Sequence, residues 1–493
     1  MNLYEHIPYA SKLNRARHID AIGTMARLYG YLPVAPHAAR VLEIGCASGE
    51  ALFPMAYEYP QAKFVGIDTS SRHIDVAQQR LTAFQERGPG NLVFLHGDVN
   101  HRDLRGQKFD YIICHGVLSW IPLAERETLL GMIPTLLSDQ GVCFLSYNCG
   151  SGSAMRKVIW DQLKQSVSMM PTDIGHLRSA IRAFRDAIEI NYEKPYQVFV
   201  FQELDRILQE PDHYLIHEVL ALQNQPLAFD ELQSSLAQLS LKVIGDARPH
   251  RVGLQRFLAA DLSAQSYQAL STLQQQFHFS AEHIVDLCFG TPFRETLIMH
   301  GFHEGALHLS PEVFHALSFA HVGVATDEHC SPVEQLLLDQ YPHFISYAEL
   351  TSAALHKVHG LDAERVSADL MRCFVQDRIL ASFYPPEVSA TVYAFPKTTP
   401  WIRYQAEHHE IVTNLQYRSI ALDSLARGLL AHLDGETSHE SLQDVALSMI
   451  KSGDGGVRED GVPVEDPIRI AALVPALVES ALETLKKAAM LLP

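Results

Sequence analysis

Short, almost wholly apolar runs alternate with helix-period stretches through the first third of the chain. Val41, Leu42 and Ile44 form one run, and Phe64–Ile67, Leu92–Leu95, Phe109–Cys114 and Val142–Tyr147 form four more. Strands apolar on both faces are those of a parallel sheet covered by helices on each side. The intervening segments supply those helices: residues 50–59, stopped by Pro60, then 70–87 with Ser70 as N-cap, then about 125–137. Gly-Pro-Gly-Asn at 88–91 reads as a loop. The pattern predicts a doubly wound, Rossmann-like α/β domain. Ahead of it, Ile19, Ile22, Met25, Ala26 and Leu28 recur at helical spacing within 15–31. That helix either packs on the sheet edge or, with Tyr9 before it, folds over a ligand.

From Met155 to Leu222 the pattern turns amphipathic and helical, with pieces at 154–170, 177–191 and 200–210. This exceeds one crossover and predicts a helical insertion, about 150–225, that builds one side of a cleft. A helix Phe229–Leu239 and a strand Leu241–Ile244 then close the sheet domain near Arg248, giving a first domain of 1–248. Residues 249–328 read as a mostly helical middle domain, whose end Phe293–Leu297 introduces, and 329–493 as a winged-helix-like C-terminal domain. Two helix-turn-helix patterns support the last reading, one around Val333–Leu355 and one around Ser424–Leu447. Residues 452–466, rich in Gly, Asp and Glu, read as a mobile loop before a final helix.

Composition narrows the classes. The 493 residues are 47% hydrophobic and 19% charged, enough for a large core, and the formal charge of −18 opposes nucleic-acid binding. Seven scattered cysteines without a CxxC pair favour neither disulfides nor zinc and fit a reducing cytoplasm. No apolar run predicts a signal peptide or a membrane span. Among the 26 histidines, the His303–His308 pair in HEGALH is spaced i, i+5, which misses the i, i+4 face of a zinc helix, so no metal is expected.

The candidate chemistry lies in ARVLEIGCASGEALFPMAYEYPQAKFVGID, residues 39–68. Gly45 and Gly49, with Cys46 and Ala47 between them, turn the chain after the first strand and bring backbone NH groups toward a ligand. Asp68, followed by Thr69, falls at the carboxyl end of the second strand, where an open α/β sheet binds ligands and an acid can accept both ribose hydroxyls. The turn GCASG lacks the third glycine of GxGxxG. Glu43 can hold an amino group, and Asp98 beside Val99 can meet an exocyclic amine. These features point to S-adenosylmethionine (AdoMet), which has no pyrophosphate to cradle.

With RVLEIGCASG, FVGID, FDYIICHGVLSWIP (109–122), SYN (146–148) and PWIRYQAEHHEIVTNLQYRSIALD (400–423) in view, the chain resembles class I AdoMet-dependent methyltransferases that carry a methyltransferase regulatory domain. That group includes bacterial lysine methyltransferases of outer-membrane proteins. The resemblance implies a homodimer, with Glu43, Gly45, Ala47 and Gly49 at the methionine moiety, Asp68 at the ribose, Asp98 and Val99 at the adenine, and His115 and Gly116 beneath the cofactor. It also implies a protein lysine as acceptor. Two departures accompany it: Ala47 stands where the family usually has glycine, and Cys-Gly-Ser-Gly-Ser-Ala (149–154) replaces an aromatic, Pro-bearing stretch at the acceptor mouth. A small-molecule or natural-product acceptor, or a non-catalytic AdoMet-binding scaffold, stays open. Methyl transfer needs alignment and a route for a proton rather than a triad. His115, just after the fourth strand, is the candidate base, with packing beneath the cofactor as the alternative, and Trp120 and Tyr147 either shape an aromatic acceptor slot or belong to the core.

Overall fold

The computed structural model describes residues 13–84, 88–166, 174–188, 194–221, 223–249, 263–277, 280–303, 311–323, 330–453, 457–459 and 462–493. Its centre is a seven-stranded sheet in the order β3-β2-β1-β4-β5-β7-β6. The strands are β1 (Arg40–Ile44), β2 (Lys63–Asp68), β3 (Leu92–His96), β4 (Phe109–Cys114), β5 (Leu137–Asn148), β6 (Leu241–Asp246) and β7 (Phe293–His300). The first five run parallel; β7 is antiparallel to both β5 and β6.

The alternating apolar and helical segments behave as their pattern predicts. Helices α1 (Ile19–Leu28), α2 (Leu52–Glu58) and α3 (Ser71–Ala83) cover one face. Helix α4 (Leu123–Leu136) and the helix Phe229–Gln238 cover the other. Helix α1 is packed in the core through Ile19, Ile22 and Leu28, so this stretch is a covering helix rather than a lid. Tyr9 lies outside the described residues.

The sheet continues past the expected boundary at Arg248. The segment around Phe293–Leu297, read as the end of a helical middle domain, is β7, inserted between β5 and β6 to complete the sheet. Its run of Arg294, Glu295 and Thr296 is buried despite its polarity, because Arg294 meets Asp246 of β6 and the nearby Asp286, and Glu295 meets Arg248. The helices Ala264–Phe277 and Ala281–Phe289 precede it.

The insertion after β5 is helical as expected: α5 (Gly150–Ser166), α6 (Ile174–Ala187) and α7 (Pro195–Gln209), with a π-helical turn at Leu215–Val219. It has its own apolar core around Trp160, Leu177, Ile181 and Leu204. The C-terminal part contains two small units. In the first, β8 (Ser318–His321), β9 (Ile345–Ser346) and β10 (Ile379–Ser382) form a sheet beside helices 332–339, 347–357 and 363–375, and share the core of the large sheet. In the second, helices Pro400–His408, Ser424–Leu430, His439–Ser452 and Pro467–Lys487 enclose a separate core. This unit also carries the antiparallel hairpin β11 (Ile411–Thr413) to β12 (Ser419–Ala421). The Gly- and acid-rich stretch 452–466 is not all loop: β13 (Arg458–Glu459) and β14 (Val462–Pro463) pair within it as a wing. Among the described residues, no helix is long and apolar enough to cross a membrane.

Candidate active site

A cavity of about 1240 Å³ opens at the carboxyl edge of the parallel strands. Its floor is the turn after β1. Gly45, at φ 73°, has no room for a side chain, since a Cβ there would sit 2.4 Å from Val117 Cγ2. Ala47 adopts φ 47°, a left-handed conformation that glycine takes more easily. What holds it there is Asp68. One carboxylate oxygen accepts from the Ala47 N–H at 2.9 Å, the other from the Ser70 N–H at 2.8 Å. The acid expected at the ribose therefore also clamps the glycine turn to the end of β2. Ser70 caps α3 by accepting from the His73 N–H.

Of the residues singled out from sequence, the structure brings Gly45, Cys46, Ala47, Asp68, Thr69, Asp98, Val99, His115, Gly116 and Trp120 to the cavity wall. Gly49 and Glu43 stand behind it. Gly49 makes room for Phe94, whose ring carbon would lie 2.4 Å from a Cβ. Glu43 is buried, and Arg17, from the segment before α1, stands between it and the cavity at 3.4 Å. A direct hold of an amino group by Glu43 is replaced by a Glu43–Arg17 pair that presents a guanidinium. Tyr147 is not at the wall. Side chains alternate along β5, so Tyr147 joins Cys143 and Leu145 in the core on the opposite face, and the slot expected from Trp120 and Tyr147 has only its Trp120 half.

His115 sits beneath the cavity, its ring edge-on to Phe293 with centroids 6.0 Å apart. The Ser146 hydroxyl accepts from the Gly116 N–H at 2.8 Å and lies 3.0 Å from His115 Nδ1. The hydroxyl keeps a second lone pair and its own proton, so it can pair with Nδ1 in either imidazole tautomer. Removal from water, reinforced by Arg17, pushes the His115 pKa down to about 3. A ring so weakly basic is neutral at physiological pH and suits a support beneath the cavity better than a general base.

Several wall residues carried no sequence signal. His73 is buried and faces the cavity beside Asp68, with Nδ1 3.7 Å from Asp68 Oδ1 and neither ring nitrogen in a hydrogen bond among the described residues. Its only hint was a place three residues after the Ser70 cap. Glu295 on β7 accepts from Arg248 Nε at 2.6 Å and from Asn14, and Arg248 reaches Asn14 Oδ1 at 2.7 Å. On the far side the insertion contributes Trp160, Tyr214 and Glu218, and the C-terminal unit contributes Tyr417 and Arg418. Among the described residues no cluster of His, Cys, Asp and Glu could hold a metal ion.

These residues fit AdoMet. The cavity has the volume for a nucleoside with an amino-acid tail, an acid at the end of β2 and another after β3, an orphaned buried imidazole beside Asp68, and guanidinium groups for a carboxylate. The comparisons agree. Residues 37–252 match the methyltransferase domain family, residues 211–300 the predicted methyltransferase regulatory domain, and residues 395–490 the PKMT C-terminal winged helix domain. The fold is similar to PKMT2 from Rickettsia typhi in complex with AdoHcy, with a TM-score of 0.86, 20% identity, and coverage of 98% of this chain and 100% of that one. The uncharacterized protein RP789 of Rickettsia prowazekii is 24% identical over 94% of this chain and 89% of its own length. Fold and site together define a class I, AdoMet-dependent methyltransferase. Within that class the chain is one that carries a regulatory domain and a winged-helix domain of the PKMT type.

The Glu43–Arg17 pair carries a pH signature. Burial outweighs the attraction of Arg17 and raises the Glu43 pKa from 4.5 to about 7. The folded state therefore binds the proton more tightly than the unfolded chain, and stability falls as pH rises from about 4.5 to about 7. Glu43→Gln is expected to flatten that slope, by an amount on the order of 3 kcal/mol at most. Denaturant melts of both proteins at pH 5 and pH 8 check it; an unchanged difference between the two pH values would contradict the assignment.

Proposed function

We propose that the protein methylates the side-chain amine of a lysine in a protein substrate. The observation that carries the proposal is the wall opposite the glycine turn. The π-helical turn Leu215–Val219 closes with the Leu220 N–H bonded to the Leu215 carbonyl at 2.9 Å. Its other four side chains are buried, and Glu218 alone is left half-exposed in the cavity. Such insertions in a helix re-aim side chains and recur at functional sites. Trp160 and Tyr214 flank it. Both are braced: the Trp160 indole N–H donates to Glu203 at 2.9 Å, and the Arg206 guanidinium lies 5.5 Å over the Tyr214 ring. Aromatic walls with one carboxylate suit an alkyl chain ending in an ammonium. The match of residues 395–490 to the winged helix domain of PKMT, a protein lysine methyltransferase, supports the same acceptor.

AdoMet, when bound, supplies a methyl group on a positively charged sulfur that departs as a neutral thioether. The chain's task is to align an amine with it and relieve that amine of a proton. Glu218 draws the ammonium in by charge. The rings of Trp120, Trp160 and Tyr214 then strip it of water, which favours the neutral amine, and the proton leaves through the open mouth to solvent. His115 supports the floor without exchanging protons.

Incubation with methyl-labelled AdoMet and a cell lysate, followed by acid hydrolysis and amino-acid chromatography, should place label in methyl-lysine. Label in an extractable small molecule instead would favour the second acceptor class, which the replacement of residues 149–154 leaves open at the cavity mouth, where Ser153 lines the wall. Glu218→Gln is expected to raise KM for the lysine acceptor about tenfold, the scale of one desolvated ion pair, with AdoHcy affinity within about twofold. Equal losses for acceptor and cofactor would remove Glu218 from the acceptor wall.

A further inference from the structure

The turn 414–418, which joins β11 to β12 in the C-terminal unit, enters the cavity from some 350 residues beyond the glycine turn. Asn414 organises it. Its side-chain oxygen accepts from the N–H groups of Gln416 at 3.1 Å and Arg418 at 2.9 Å, while its amide donates to the Ala488 carbonyl at 3.0 Å. At the tip Tyr417 is held at φ 61°, a left-handed conformation unfavourable for an aromatic residue. Strain of that kind persists where surrounding contacts enforce it, and it concentrates at ligand sites.

The enforcing contacts come from the cofactor side. The Tyr417 hydroxyl donates to the Ala51 carbonyl at 2.7 Å, where the glycine turn becomes α2. Its ring lies 4.8 Å from that of His18, and Arg15 donates to the Gln416 carbonyl at 3.1 Å. A few residues upstream Trp401 stacks on Phe53 of α2, with centroids 4.7 Å apart and planes 6° from parallel. Tyr417, Arg418 and Ser419 then face the same space as Gly45 and Asp68. Arg15, Arg17 and Arg418 all line this end of the cavity; Arg418 donates through Nη1 to the Val322 carbonyl and Arg17 pairs with Glu43, and each guanidinium has further N–H groups to offer a carboxylate.

We propose that the turn 414–418 is part of the AdoMet site, with Tyr417 walling the end beside the glycine turn and Arg418 facing the amino-acid carboxylate, so that seating of the winged-helix domain and binding of the cofactor are one linked equilibrium. The inference rests on the cavity being the AdoMet site. Linkage is reciprocal: AdoMet tightens the domain contact by the factor by which the contact tightens AdoMet, and whatever displaces the C-terminal domain lowers cofactor affinity.

The test is calorimetric titration of the full chain with AdoHcy. Tyr417→Gly keeps a residue that accepts the left-handed turn but removes the wall, and is expected to weaken binding at least tenfold. Tyr417→Phe, which keeps the ring but loses the hydroxyl's bonds to Ala51 and Arg17, should weaken it about threefold, and Arg418→Ala about tenfold. Hydrogen exchange of the wild-type segment 411–421 should slow when AdoHcy is added. A folded Tyr417→Gly protein that binds within twofold of wild type overturns the proposal, and so does exchange that AdoHcy leaves unchanged, a readout that stands even where a variant does not fold. Failure of the wild type to bind AdoHcy would instead strike the cofactor assignment itself.

Discussion

Asp68→Ala is expected to weaken AdoHcy binding about a hundredfold, the largest functional effect of any single substitution here. Two separate losses combine. The carboxylate accepts the Ala47 and Ser70 N–H groups, and without it the glycine turn has nothing to hold Ala47 in its left-handed conformation. In the expected cofactor pose the same group would also accept the ribose hydroxyls, each such charge-assisted bond contributing roughly 1.5–3 kcal/mol. Asp68→Asn separates the two. The amide keeps one acceptor oxygen but turns an NH2 toward either a backbone N–H or the sugar, so binding should fall between wild type and alanine. Calorimetric titration with AdoHcy measures both, and a thermal scan establishes that each variant is folded. Affinity unchanged in Asp68→Ala would remove this end of the cavity as the ribose site.

The first five strands were legible because each carries a largely apolar run, buried on both faces except at the edge strand β3, where Val93 is exposed, and the glycine turn because its shape demands glycine at Gly45. Strand β7 was not legible. Arg294, Glu295 and Thr296 read as surface, and only their partners Asp246, Glu282, Asp286 and Arg248 make them a strand interior. The same limit governs the site. Gly45, Asp68, Asp98 and Val99 are adjacent to strand ends and so announce themselves, whereas Arg17, Glu218 and Tyr417 reach the cavity from a leading segment, an inserted helix and a terminal domain. Tyr147 failed for a local reason: a strand residue has an even chance of either face, and the apolar pattern of β5, apolar on both, does not say which. His115 reaches the cavity wall through its position after β4, but its neighbour Ser146 comes near only through the pairing of β4 with β5, which no local pattern announces.

Arg294→Ala should produce the largest loss of stability, roughly 3–5 kcal/mol, the range for breaking a buried ion pair from one side. Arg294 is 2% exposed, and three acids surround it: Asp286 at 2.8 Å, Glu282 at 2.9 Å and Asp246 at 3.5 Å. It also donates to the Glu282 backbone carbonyl at 3.0 Å and covers the Phe229 ring at 4.9 Å. Its removal leaves three carboxyl groups together in a space with little water, where they can respond only by taking up protons or by opening. The Glu282 pKa is raised by burial even with the arginine present, so the variant should lose most stability at high pH, where all three groups must ionise, and recover part of it on acidification. Arg294→Lys keeps the charge but cannot reach three partners with a planar fork, and should recover about half of the loss. The damage should extend to the site, because Asp286 also accepts from the Cys149 thiol at 3.1 Å, at the junction between β5 and α5 where the acceptor mouth begins. Thermal scans of the three proteins at pH 6 and pH 8.5 decide the matter: equal melting temperatures would show that the cluster is neutralised by other means, and a deficit in Arg294→Ala that does not grow with pH would show that lost packing against Phe229, rather than uncompensated charge, dominates.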